Sequence, residues 1–199
     1  AAKKLAQANV TTTSIPSFLG GGLAPNHVPA LVLQLVRRGE FLTSYTPYQP
    51  EVSQGMLQAM WEFQTMISEM TNLPISNVSM YDSSTAAAEA LTCAFRVHDR
   101  KATQKSTVYI SSALPPERRS VIDNYLSGAD IIVHEISHNQ DGTVNLDEVR
   151  KAKGSSAIYV EQPNAFGVLD EGLTKVKEIV GSDTALIVGV VPSTLGLIS

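Results

Sequence analysis

Apolar residues recur at helical spacing along the segment from Glu51 to Met70. The residues of this face are Met56, Met60, Phe63, Ile67 and Met70, at alternating intervals of four and three positions. This spacing places them on one side of a helix. Residues 71–74, TNLP, are of the types that end a helix. We therefore expect a long amphipathic helix, in which Gly55 marks the close approach of another backbone. A shorter helix is expected at about 29–38.

Short apolar runs alternate with helical patterns after residue 75. The runs predict five strands, at 78–81, 107–111, 130–136, 157–160 and 185–191. The segments between them predict four helices, at about 86–97, 115–126, 145–149 and 171–180, the last stopped by Gly181. Asn145 and Glu148 resemble a capping box at the start of the third of these helices. The run at 185–191 is apolar throughout, which is typical of a centrally buried parallel strand.

This alternation predicts an α/β fold, with a mostly parallel sheet and helices on both faces. Ligands of such sheets bind beyond the carboxyl ends of the strands. The candidate ligand loops are therefore 81–85, 111–116, 137–142, 161–167 and 192–194. Because the chain begins with Ala1 and ends directly after a strand pattern, we expect the fold to be incomplete at both ends.

Composition narrows the class of protein. The 199 residues are 43% apolar and 17% charged, with a net charge of −4, as in an ordinary globular protein. Without a basic run we expect no nucleic-acid partner, and the apolar stretches are too short to span a membrane. A single cysteine, Cys93, excludes an internal disulfide and favours a reducing cytoplasm. Its helical pattern predicts an inert thiol in the core.

A stiff polar loop precedes the long helix. Pro47 and Pro50 flank Tyr48 and Gln49, and Tyr45 lies just before them. Prolines restrict the backbone of this segment, and the N-terminus of the following helix favours anions. The loop is therefore a candidate for function, and the alternative is a plain connector before a core helix.

A second polar turn, Asp82-Ser83-Ser84-Thr85, lies between a predicted strand and a helix. Backbone N–H groups, helix dipole and hydroxyls together suit a phosphate at such a turn, with Ser84 and Thr85 as contacts. Simple N-capping explains the same residues and is the favoured alternative. Glycines 20–22 are a weaker phosphate candidate, because no clear strand precedes them.

Other polar residues suggest no defined chemistry. His134 and His138 lack an evident third metal ligand, so we expect no metal there. His27 is expected to cap a helix or lie at the surface. Residues 161–164, EQPN, follow a strand and suit either a ligand contact or a turn. The residues alone thus predict an α/β domain without naming a reaction.

Three segments resemble a known family. They are EFLTSYTPYQPEVSQGMLQAMWEFQTMISEMTNL at 40–73, SFLGGG at 17–22 and NVSMYDSSTAAAEA at 77–90. They are similar to the pyridoxal-phosphate-dependent glycine dehydrogenase (decarboxylating), the P-protein of the glycine cleavage system. The likeness is to the N-terminal-half type, subunit 1 or alpha, and it covers nearly the whole chain.

The resemblance implies a fold-type-I transferase-like large domain at 75–199, after an arm and Gly-rich loop at 1–28. It also implies that 29–74 packs on a second P-protein subunit, within a heterotetramer. The family decarboxylates glycine on pyridoxal phosphate and passes the aminomethyl group to the lipoyl group of the H-protein. The cofactor's lysine belongs to the partner subunit. Tyr45, Tyr48 and Gln49 of this chain are then expected to help complete the partner's site.

The chain departs from the catalytic members of the family. Lys175 and Lys177 are predicted on a solvent-facing helix, where no Schiff base would form. Val191-Pro192 replaces an Asp of many relatives, and Pro115-Pro116 replaces a His-Pro pair. These departures indicate a degenerate copy of the cofactor fold that is inactive alone. Two alternatives are a stand-alone module that binds a phosphate ligand and a purely structural subunit.

Overall fold

The computed structural model describes residues 1–12, 14–16, 26–42, 45–99 and 106–196. The α-helices are α1 (Ala2–Gln7), α2 (Ala30–Leu35), α3 (Gly39–Leu42), α4 (Pro50–Thr71), α5 (Ser83–Asp99), α6 (Pro116–Leu126), α7 (Leu146–Val149) and α8 (Leu173–Val180). The strands are β1 (Ser106–Ser111), β2 (Ile131–Ile136), β3 (Ala157–Gln162) and β4 (Ala185–Val190), and short 3-10 helices span Arg150–Ala152 and Pro192–Thr194. Across the described ranges, no helix combines the length and the apolar character needed to cross a membrane. The glycines at 20–22 lie outside the described residues.

The strands form a parallel sheet in the order β2-β1-β3-β4. The chain runs from β1 to β2 on one side and then returns to β3 on the other side of β1. Four predicted strands are therefore confirmed, but a fifth strand at 78–81 is wrong. Its residues are largely exposed, and they lie between the end of α4 and Asp82, which caps the next helix. The alternation there has no sheet to pack on.

Helices cover both faces of the sheet, as predicted. On one face α5 and α6 pack over a buried cluster that includes Leu91, Ile110 and Ile122. On the other face, α7, the 3-10 helix after it and α8 cover a cluster that includes Val149, Ile158 and Val176. Successive residues of β3 alternate between the two clusters, because side chains of a strand point to opposite faces.

The central position predicted for 185–191 is wrong for the described sheet. Strand β4 pairs with β3 and lies at an edge of the four-stranded arrangement. Val188 and Val190 are exposed there. The apolar run therefore indicates that this segment tends to be buried. It does not specify which elements cover it.

Helix α4 is confirmed, but its apolar face is not buried by the described part of the chain. Met70 and Met66 are exposed, and Met56, Met60 and Ile67 are half-buried. The expected close backbone at Gly55 is wrong here, since an added Cβ would meet no atom within 4 Å. The core position predicted for Cys93 is also wrong, because its side chain is exposed on α5. Both errors arise because an amphipathic pattern does not specify what covers the apolar side.

The ends of two helices test the predicted caps. Gly181 stops α8 with a φ of 79°, a conformation that glycine adopts without steric cost. Asn145 caps α7, since its side-chain oxygen accepts from the N–H groups of Asp147 and Glu148. The capping-box role of Glu148 is wrong. Its carboxylate accepts from the N–H of Ser137 at 2.7 Å and so ties α7 to the end of β2.

Candidate functional site

A crevice of about 440 Å³ opens at the carboxyl edge of the sheet. It is lined by the start of α5, the start of α6, the end of β3 and the segment after β4. Four of the five predicted ligand loops contribute to it: 81–85, 111–116, 161–167 and 192–194. The crevice also lies where the strand order reverses, between β1 and β3, which is the usual ligand position of such sheets.

Four side chains form a hydrogen-bonded network at this crevice, and three of them, Ser83, Arg118 and Glu161, line it. Arg118 Nη1 donates to Glu161 Oε1, and its Nη2 donates to Ser83 Oγ at 2.7 Å. The hydroxyl of Tyr159 donates to the same Glu161 oxygen at 2.8 Å. The Glu161 side chain is 6% exposed and that of Arg118 is 17% exposed. The pair therefore lies in a medium where an unpaired charge would be costly.

The network shifts the ionisation of its members. Burial opposes the charge of Arg118, but Glu161 and Tyr159 together outweigh it, so the pKa of Arg118 is raised. Burial and the same carboxylate raise the pKa of the Tyr159 hydroxyl. Tyr159 therefore remains a hydrogen-bond donor, and Arg118 remains a cation, across the physiological pH range.

The turn at Asp82–Thr85 caps helix α5. Asp82 Oδ1 accepts from the N–H groups of Ser84 and Thr85 at 2.7 and 2.9 Å. Thr85 Oγ1 in turn accepts from the N–H of Asp82 at 3.2 Å. This is the reciprocal arrangement of a capping box, so the favoured capping interpretation is confirmed. The carboxylate of Asp82 thus occupies the N–H groups that a phosphate would need.

The Tyr-rich loop forms a turn whose side chains face outward. Tyr45 is 88% and Tyr48 is 75% exposed, and Gln49 is exposed as well. The N–H of Gln49 donates to the carbonyl of Thr46 at 3.3 Å, which closes the turn. Within the described ranges, the structure gives no hydrogen bond between this turn and the crevice. It therefore does not bring the two predicted groups, 45–49 and 84–85, together.

The polar segment 161–164 divides between two roles. Glu161 faces the crevice, whereas Gln162 exchanges hydrogen bonds with the backbone of Asp170. Asn164 holds a turn, since its Oδ1 accepts from the N–H groups of Phe166 and Val168. The turn interpretation is therefore confirmed for Asn164, and a ligand contact by Glu161 stays a prediction.

The two histidines lie in separate surroundings. His134 stacks on Tyr109, with ring centroids 4.9 Å apart. His138 Nδ1 is 2.9 Å from Ser112 Oγ, and its ring packs against Phe166. Among the described residues, no group of three or more potential ligands could hold a metal ion.

The sequence model of the glycine cleavage system P-protein matches residues 1–199. The chain belongs to the glycine cleavage system P-protein family. Three relatives named "Probable glycine dehydrogenase (decarboxylating) subunit 1" are 43% identical over 192 residues (Thermococcus onnurineus), 41% over 197 (Pyrococcus horikoshii) and 42% over 200 (Oceanobacillus iheyensis). These alignments cover 96–98% of this chain but only 42–43% of each relative. The chain thus spans about two fifths of the P-proteins it matches.

Solved structures agree with the predicted fold class. A crystal structure described as glycine decarboxylase (P-protein) of the glycine cleavage system, in inhibitor-bound form, matches with a TM-score of 0.82 and 36% identity. The match covers 100% of this chain and 43% of that one. A NifS-like protein matches with a TM-score of 0.59 at 15% identity and supports the fold alone. The α/β fold of a P-protein is therefore confirmed for this chain.

The crevice residues do not fit the pyridoxal phosphate implied by the P-protein family. None of the lysines in the described ranges lines the crevice. Lys175 and Lys177 are exposed on α8. Lys177 Nζ donates to the carbonyl of Thr184. Thr184 precedes β4 and so lies at the amino ends of the strands, away from the crevice. Arg118 and the N–H groups of Ser84 and Thr85 are already paired with carboxylates of the chain. Within the described ranges, the crevice therefore offers the cofactor neither a covalent anchor nor a free phosphate site.

Two residues of this network were not singled out from the sequence. Arg118 and Tyr159 each lie in a regular element and carry no motif. A signal was available for Arg118, which follows Pro115-Pro116 in the first turn of a helix that begins at the carboxyl edge. A cation in that position is well placed to meet groups from neighbouring strand ends.

Proposed function

We propose that this chain is part of a glycine dehydrogenase (decarboxylating) and completes the active site of a second, lysine-bearing subunit. Family membership over the whole chain carries the proposal. The relatives named subunit 1 support it, because that name implies a further subunit. The crevice also supports it, because its charged groups pair with one another and a cofactor held here would lack an anchor. A single cysteine fits a cytoplasmic location.

In the proposed reaction glycine loses its carboxyl group as CO₂, and the aminomethyl group passes to the lipoyl group of the H-protein. Pyridoxal phosphate held covalently by the partner would supply the electron sink for breaking the C–C bond. The substrate carboxylate has to be held while that bond breaks. Tyr45, Tyr48 and Gln49 offer hydroxyl and amide donors for this purpose. They precede the N-terminus of a 22-residue helix, where the backbone dipole favours negative charge.

The segment 29–74 is proposed to pack on the partner subunit. It exposes large apolar side chains on two helices, including Leu31 and Val36 near α2 and Trp61 and Met66 on α4. Exposed apolar surface of this kind marks an interaction site more often than a solvated face. Packing there would place the exposed turn against the partner and help to exclude water from the reaction. Two such pairs would form the heterotetramer, and the lipoylated H-protein would be the mobile co-substrate.

Co-expression with the second P-protein subunit tests this proposal. We expect the two to co-purify and the complex, but not this chain alone, to decarboxylate glycine with lipoylated H-protein. Borohydride reduction followed by mass spectrometry of both subunits should find the cofactor covalently fixed to the partner. A cofactor fixed to this chain would contradict the proposal.

Two other results would favour the alternatives. A monomer that binds a phosphate ligand at Asp82–Thr85 without a partner would favour the stand-alone module. A stable complex in which substitution of Tyr45, Tyr48 and Gln49 leaves turnover unchanged would favour a structural subunit. The paired state of Arg118 and the capped start of α5 argue against the first of these.

A further inference from the structure

We propose that Glu161 is a built-in anion that keeps the carboxyl-edge crevice closed to phosphate ligands by neutralising Arg118. The proposal does not rest on glycine chemistry, because it concerns a contact within this chain. It predicts that this crevice contains a latent phosphate site, which the loss of one carboxylate would uncover.

The groups around the carboxylate form an anion-binding set. Arg118 directs one guanidinium nitrogen to Glu161 and the other to Ser83 Oγ at 2.7 Å. Ser83 is the first residue of α5, a 17-residue helix. Guanidinium and hydroxyl groups are among those that proteins use to bind phosphate. Here the anion that pairs with the guanidinium is Glu161, which the chain itself supplies.

The packing around Glu161 fixes it in this place. Its side chain is 6% exposed and receives a second hydrogen bond, from Tyr159 at 2.8 Å. On the neighbouring strand, a Cβ added at Gly189 would lie 2.5 Å from the Tyr159 hydroxyl and 3.1 Å from Glu161 Cγ. Glycine at this position therefore leaves the space that the tyrosine and the carboxylate occupy.

Charge explains why phosphate is excluded. Arg118 and Glu161 together are neutral, so an entering phosphate would meet a fixed carboxylate and no spare cation. The N–H groups of Ser84 and Thr85 at the start of α5 are taken by Asp82. Removal of the Glu161 charge would leave a guanidinium that is only 17% exposed without its counter-ion. A phosphate could then restore neutrality in the crevice of about 440 Å³.

Inorganic phosphate is the probe. It is titrated at constant ionic strength into the full chain, in whatever oligomeric assembly the chain forms. We expect no calorimetric or thermal-shift response from the unsubstituted protein. Glu161→Gln keeps the side-chain shape, and we expect phosphate affinity to rise at least about ten-fold, the change given by ~1.4 kcal/mol. Glu135→Gln is the matched control. It removes the carboxylate that pairs with Arg119, and Arg119 lies next to Arg118 on helix α6. That control should remain unresponsive.

The double variant Glu161→Gln/Arg118→Met separates a specific site from a general gain of positive charge. It should lose the phosphate response of the single variant. If Glu161→Gln unfolds without ligand, phosphate should restore its near-ultraviolet circular dichroism, whereas chloride at equal ionic strength should not. Equal phosphate binding by the unsubstituted protein and Glu161→Gln would overturn the proposal. Absence of any response from Glu161→Gln would overturn it as well.

Discussion

The hydroxyl of Ser53 donates a hydrogen bond to the backbone carbonyl of Thr46 at 3.1 Å. Ser53 lies inside α4 but has a non-helical backbone, with φ −135° and ψ 22°. Ser53 is only 3% exposed, whereas Tyr45 and Tyr48 are largely exposed. The bond thus holds the turn from beneath while the tyrosines face outward. The first turn of α4 and the Tyr-rich loop therefore form one structural unit.

Ser53→Ala should loosen this turn without disturbing the sheet. Loss of one buried hydrogen bond weakens local structure by about 1 kcal/mol. We expect faster hydrogen exchange of the amides of Thr46, Tyr48 and Gln49 and a lower kcat in the reconstituted complex, with subunit association retained. Thr65→Ala is the matched control, since Thr65 bonds within α4 to the carbonyl of Trp61. Unchanged exchange at 46–49 in Ser53→Ala would show that the bond does not hold the turn.

Gly55→Ala should stabilise the isolated chain. An added Cβ meets no atom within 4 Å, and glycine inside a helix costs roughly 0.5–1 kcal/mol relative to alanine. Urea unfolding should therefore shift to higher denaturant. Gly181→Ala is the contrasting variant, because a φ of 79° strains any residue with a Cβ, and it should destabilise. A downward shift for Gly55→Ala would indicate a close neighbour that this structure does not contain.

Asp82→Ala should destabilise helix α5 by about 1 kcal/mol, the usual effect of removing an N-cap. The carboxylate accepts from two backbone N–H groups at the helix start. Thr85→Ala should have a smaller effect of the same sign, since its hydroxyl accepts from the N–H of Asp82. Ser84→Ala should be nearly neutral, because the structure gives its hydroxyl no hydrogen bond within the described part of the chain. Thermal unfolding of the three variants compares them, and equal losses for Ser84→Ala and Asp82→Ala would contradict this assignment.

Stability should fall in acid through Glu148. The backbone N–H of Ser137, followed by Lys151, lowers the pKa of this carboxyl from 4.5 to about 2. A carboxyl whose pKa is lowered by folding stabilises the fold when the pH is above the pKa of the unfolded state. This contribution is lost as the pH falls from about 4.5 to 2. Unfolding measured across that window should show a steeper loss for the unsubstituted chain than for Glu148→Gln. Identical slopes would mean that the bond to Ser137 does not persist in solution.

Local patterns predicted the elements of this fold well, because strand and helix periodicities are set by neighbouring residues. The strands β1, β3 and β4 and the cap at Asn145 follow from such patterns. The pairing of Arg118 with Glu161 could not be predicted in this way, since the residues are 43 positions apart. Only the topology of the sheet brings the start of α6 to the end of β3. The family resemblance, in turn, rests largely on the TPYQPE run, a stretch that local patterns alone describe as either a functional loop or a plain connector.

Burial was the property that the sequence predicted least well. Cys93 and the apolar face of α4 were expected in a core but are exposed or half-buried here. An amphipathic helix specifies which side is apolar, and its burial depends on residues that can belong to another part of the assembly. Exposed apolar residues on α4 therefore support the proposed subunit contact rather than a simple error in helix orientation.

Turnover of the reconstituted complex with Tyr48→Phe tests the central claim most directly. The substitution removes one hydroxyl and keeps the ring, so any packing contact with the partner is preserved. If the hydroxyl holds the substrate carboxylate in the transition state, kcat should fall about ten-fold, as expected for the loss of ~1.4 kcal/mol. Subunit association, measured on the same samples, should not change. An unchanged kcat with association retained would contradict the account and leave Tyr48 as a packing residue only.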